Sequence, residues 1–134
     1  MTIAVIMANS EWVKGNKDLV QRYMTAWLRG ARDYCQAYHG ASNRQEVIDE
    51  LVNSKTEPRR ELLEKYPWPA RSPNGQINVA SMLDINAWYV QNKMSTTKFP
   101  AERVVDPSFI NAAIARLGPF ELKNKDSKLP GCRS

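Results

Sequence analysis

Residues 17–39 carry an apolar pattern that only a long α-helix satisfies. Leu19, Tyr23, Trp27, Tyr34 and Tyr38 form one row, and Val20, Met24, Leu28, Ala31 and Cys35 form a second beside it. Two adjoining rows at three- and four-residue spacing give the wide stripe of a helix pressed on a core. Gly15-Asn16 breaks the chain just before it, with Asn16 as the expected N-cap. Gly40 stands where a left-handed C-terminal cap belongs. Gly30, inside the helix, costs about 1 kcal/mol relative to Ala, so the close approach of another backbone is expected there.

The remaining elements are shorter. Thr2–Ala8 is rich in Ile and Val with little polar alternation, which suits a buried strand. Ser42 and Gln45 have the spacing of a capping box opening a helix that turns Val47, Ile48, Leu51 and Val52 inward. A short helix is expected over residues 57–65, with Pro58 in its first turn. Residues 66–76 hold three prolines and end in Asn74-Gly75, the signature of an irregular loop closed by a tight turn. Residues 79–93 form the next predicted helix, carrying Val79, Met82, Leu83, Ile85, Trp88, Tyr89 and Val90, and a short extended piece is expected at Arg103-Val104-Val105. Asp106-Pro107 and Gly118-Pro119 mark the start and stop of the last helix. The fold class is therefore mainly α: about five helices plus one short N-terminal strand. Residues 1–120 read as one domain without internal repeats, and residues 121–134 as a charged, mobile tail. A lone strand needs a partner, from another part of a larger protein or from a homodimer pairing through Thr2–Ala8.

The chain's 134 residues suffice for one core without metal or disulfide staples. Its net charge of +5 raises the question of nucleic acid, but the Lys and Arg residues are scattered rather than gathered on one helix face, so nucleic acid is not the expected partner. No apolar run reaches the roughly 20 residues of a membrane-spanning helix, and no membrane insertion is expected. Cys35 falls on the apolar stripe as a small core residue and Cys132 in the tail; the two are too few and too scattered for a zinc site, and the sequence gives no argument for a bond between them. His39 is the only histidine and stands at a helix end, facing the helix dipole. The carboxylate pairs Asp49/Glu50 and Glu61/Glu64 lie beside Lys and Arg on polar helix faces. No nucleophile elbow, phosphate-binding loop, dinucleotide-binding glycine pattern or zinc-protease motif is present. No catalytic residue, metal or cofactor is assigned, and the chain is not expected to be an enzyme. Of four tryptophans, Trp27 and Trp88 occupy core-facing positions, and Trp68 pins the proline loop onto the helices.

Two stretches resemble a known family. One is Ala8-Asn9-Ser10-Glu11-Trp12-Val13 followed by the long helix with Tyr23, Ala26, Leu28 and Gly30-Ala31. The other runs from Gly75-Gln76-Ile77-Asn78-Val79 through Met82-Leu83-Asp84, Trp88-Tyr89 and Val104-Val105-Asp106 to Ser108-Phe109 and Ala115-Arg116-Leu117-Gly118-Pro119. In this order they are similar to the C-terminal portion of the solute-binding proteins of ABC importers for nitrate, sulfonates, taurine and thiamine precursors. The resemblance covers most of residues 3–120.

It implies a fragment of an α/β periplasmic-binding-protein type II clamshell, with Thr2–Ala8 as the hinge-crossing strand. It also implies a small-molecule solute and an ABC permease as partners once the missing lobe is supplied. Asn9 and Ser10, leaving that strand, would be nearest the cleft and are the candidate ligand-binding residues, with helix capping as the competing role. The family's first half is not represented, so the solute cannot be named. The thiamine-pyrimidine synthases share this fold but use a metal-binding cysteine cluster that this chain lacks. The resemblance places the chain in the periplasm; a chain complete as given, with no signal peptide, would be cytoplasmic. The alternative function is a stand-alone basic helical module that binds a protein partner or nucleic acid.

Overall fold

The computed structural model describes residues 5–100 and 105–133. Among them are six helices: α1 (Ser10–Gly15), α2 (Lys17–Tyr38), α3 (Arg44–Asn53), α4 (Arg60–Lys65), α5 (Val79–Gln91) and α6 (Ser108–Leu117). No strand occurs among the described residues. This corrects the expected α/β clamshell fragment: the chain is helical, and residues 5–9 form no regular structure. Residues 2–4 of the expected strand lie outside the described part, as do residues 103–104 of the expected extended piece. The physical reason is the one that made a lone strand doubtful. Without a second strand its backbone groups have no ladder to join, and Ile6 and Met7 stand 44% and 87% exposed.

Helix α2 is the axis of the fold, packing against α6, α3 and α1, while α3 in turn packs on α4. Its two apolar rows have different fates. Leu28 and Cys35 of the second row are fully buried. In the first row, Tyr34 and Tyr38 pack against the buried clusters, but Leu19, Tyr23 and Trp27 are exposed. The expected core role of Trp27 is thus corrected: among the described residues Gly75 approaches its ring, but the side chain stays 37% exposed. Gly30 also departs from expectation: a side chain there would meet open space. Gly40, at φ +73°, supplies the left-handed cap as expected.

Local caps shift by a residue or trade roles. Asn16 occupies the N-cap position of α2, but its side-chain nitrogen turns back to donate to the Trp12 carbonyl at 2.8 Å. The Ser42 capping box does not form; Asn43 is the N-cap residue of α3, and its Nδ2 donates to the Asp33 carbonyl, tying the turn to α2. Helix α4 begins at Arg60, so Pro58 precedes it rather than filling its first turn. Pro107, expected in the first turn of α6, takes the N-cap position instead, and Asp106 stands one residue before it, its Oδ1 accepting from the Ser108 N–H at 2.9 Å. Gly118, at φ +75°, ends α6.

Loops complete the core. Trp68, 8% exposed, lies beside Tyr34, donates from Nε1 to the Leu63 carbonyl at 2.7 Å, and carries the Arg44 guanidinium 4.2 Å over its ring. This is the anchoring role its position between prolines predicts. Arg32 reaches from α2 to the carbonyls of Pro73 and Gly118 and to Asn74 Oδ1, at 2.8–3.2 Å, fastening the loop and the end of α6 together. Gly75 has φ +63°, and a Cβ there would collide with Trp27 and Ile110, so only glycine lets the turn approach α2 and α6. Residues 120–133 are irregular but lie against α2: Phe120 and Cys132 join Cys35 in one buried cluster. This contrasts with the mobile tail expected from the absence of periodicity.

Candidate functional site

Helix α5 differs from the others. It belongs to none of the packed helix pairs that hold α1, α2, α3, α4 and α6 together, and none of its residues is buried. Yet at 100° per residue Trp88, Ile85, Tyr89, Met82, Val79, Val90 and Leu83 span more than half of its circumference. A helix apolar over so wide an arc is normally enclosed on several sides. Here Trp88 and Tyr89 are 54% and 44% exposed, correcting the expected core position of Trp88.

The helix is well formed nonetheless. Asn78 Oδ1 accepts from the Ser81 N–H at 2.9 Å, capping its start. Past its end the chain doubles back: Asn86 donates to the Thr97 carbonyl at 3.2 Å and accepts from the Phe99 N–H at 3.1 Å. This holds Phe99, 46% exposed, beside the helix. Trp88 and Tyr89 meet edge to face, with ring centres 5.5 Å apart. Two open grooves flank α5. One, of about 300 Å³, runs along Asp84, Ile85, Trp88 and Gln91; the other, of about 220 Å³, runs along Met82, Leu83, Asn86 and Phe99. Among the described residues both are lined by α5 and its return loop, so they are the open flanks of a half-covered helix rather than an enclosed solute pocket.

The candidate ligand residues lie elsewhere. Asn9 is exposed, and its Oδ1 accepts from the Glu11 and Trp12 N–H groups, both at 3.0 Å, which is a helix cap. Ser10 opens α1 and is exposed. Helix α1 has only six residues, too short for its N-terminus to concentrate an anion. Asn9 and Ser10 share no groove with α5.

Several charged side chains are engaged with one another or with backbone. Arg60 pairs with both Asp49 and Glu64, and Arg59 with Glu57 at 2.8 Å. The Arg59 guanidinium holds the Glu57 carboxyl down at about 2. Arg32 and Arg44 are spent on internal carbonyls. His39 is buried, with Nδ1 at 2.8 Å from Ser127 Oγ and Nε2 at 3.1 Å from the Gly131 carbonyl. Among the described residues no group of three or more His, Cys, Asp or Glu gathers as a metal site, and no helix is long and apolar enough to cross a membrane. The sequence pointed to α5 as a core helix; that it is only half-covered among the described residues was legible only from the fold. Comparison of the chain with family models, with curated proteins and with solved structures returns no match in any of the three.

Proposed function

We propose that the chain is a helical part of a substrate-binding protein for ABC-type import of a small solute of the nitrate, sulfonate/taurine or thiamine-precursor class, incomplete until α5 is covered by the rest of that protein. The observation that carries this reading is the incompletely covered apolar face of α5, where Trp88 and Tyr89 are exposed and Val79, Met82, Leu83, Ile85 and Val90 are only half-buried. Fully burying a large apolar side chain is worth about 1.5–3 kcal/mol, a gain that the exposed Trp88 and Tyr89 forgo and the half-buried Leu83 and Ile85 realise only in part among the described residues. The exposed Leu19, Tyr23 and Trp27 of α2 give the same indication at a second place. The ordered resemblance, from Ala8-Asn9-Ser10 to Leu117-Gly118-Pro119, supplies the identity of the larger protein.

The solute would then be gripped largely by residues outside this chain, consistent with the open grooves beside α5. Calorimetry tests the reading. The chain alone is expected to give no binding heat with nitrate, taurine, an alkylsulfonate or a thiamine-pyrimidine precursor. Co-purified with the product of the reading frame immediately upstream, it is expected to bind one of them. Micromolar binding by the chain alone, or a co-purified pair that binds none of the four, contradicts the proposal.

A further inference from the structure

Cys35 and Cys132 are 97 residues apart in sequence, yet their sulfurs lie 2.7 Å apart and both side chains are buried. Both are free thiols. A disulfide bond is about 2.05 Å long, so joining them needs a displacement of well under an ångström.

The approach is built by several contacts. Gln36 of α2 clasps the segment, donating to the Glu121 carbonyl at 2.7 Å and accepting from the Lys123 N–H at 2.9 Å. Tyr38 donates to the Pro130 carbonyl at 2.6 Å. Gly131, at φ +80°, passes so close over Ala70 that a Cβ there would collide with it. The Arg71 N–H donates to Cys132 Sγ at 3.3 Å.

We propose that Cys35 and Cys132 form a redox-active dithiol whose oxidation locks residues 120–133 onto α2. The oxidant is a disulfide, either a small molecule such as oxidised glutathione or a dithiol–disulfide oxidoreductase. Burial, and next the hydrogen bond with Cys132, pushes the Cys35 thiol up, so Cys132 makes the first attack as its irregular segment lifts. The Cys132 thiolate displaces one thiolate from the external disulfide, forming a mixed disulfide. The Cys35 thiolate then attacks Cys132 Sγ and expels the second. The two cysteines lose two protons and two electrons, and the external disulfide is reduced to two thiols. An excess of dithiol reverses the reaction.

The test treats the reduced full chain with oxidised glutathione. Both thiols are expected to disappear while the protein stays monomeric on a non-reducing gel. Tryptic peptide 33–44 should be found linked to peptide 129–133, and Tm should rise by roughly 10 °C, as a long closed loop allows. Dithiothreitol should reverse all three changes. Thiols that stay free, separate glutathione adducts on each cysteine, or bonding only between chains would each overturn the proposal. The variant Cys132→Ser should show no rise in Tm on oxidation; a rise equal to the parent's would also overturn it. If that variant does not fold, the peptide linkage in the parent chain decides alone.

Discussion

The C-terminal half of α2 and the whole of α5 each carry an apolar face, yet the two faces live in different surroundings. Around α2, Cys35 packs with Phe120 and Cys132, and Ala37 with Ile48 and Trp68. Loop carbonyls and the return segment close over the same residues through Arg32, Gln36 and Tyr38. Among the described residues, helix α5 is met chiefly by its own return loop, held at Asn86. Periodicity states which face of a helix is apolar; it does not state whether the same chain supplies the cover. That difference is the basis for reading α5 as an interface.

Substitutions can break the comparison. The largest expected loss is from Trp68→Ala, which removes the anchor shared by Tyr34, Arg44 and the proline loop. It should cost about 3–5 kcal/mol in chemical denaturation. Leu28→Ala, at a fully buried position of α2, should cost about 2–5 kcal/mol. Leu83→Ala in α5 should cost below about 1 kcal/mol; equal losses for the two leucines would mean that α5 has a cover in this chain. Arg32→Met leaves the carbonyls of Pro73 and Gly118 without their charged donor and should cost about 2 kcal/mol.

The smallest effect is on pH dependence, and it belongs to the α2 side alone. Burial chiefly raises both Cys35 and Tyr34, the latter from 10.0 to about 12. Both groups then hold their protons more tightly folded than unfolded, so their contribution is complete below the unfolded pKa values and declines as pH rises. Stability of the reduced protein should therefore fall progressively above about pH 9, followed as Tm against pH. Cys35→Ala should flatten the start of that decline.

The sequence was informative where elements have both a period and a stop. Helices α2, α5 and α6 fall close to their expected bounds, with Gly40 in the left-handed conformation predicted for it and Gly118 at the predicted stop of α6. It misled where side chains had competing partners. Asn16 turned to a nearby carbonyl instead of capping the helix that follows, Asn43 rather than Ser42 took the N-cap position of α3, and Trp27 and Trp88 kept core-like spacing while staying exposed. The apolar run before Asn9 suggested a strand because composition cannot supply the second strand it needs. The Cys35–Cys132 approach was illegible because residues 120–133 have no period, and only tertiary contacts bring them to α2.

Hydrogen exchange of the chain by itself tests the interface claim most directly. A helix of 13 residues without packing is marginal in water. The account therefore predicts that the amides of α5 exchange by local opening orders of magnitude faster than those of residues 28–37 in α2, which should approach the global limit. Protection of α5 equal to that of α2 in a monomeric sample would contradict it.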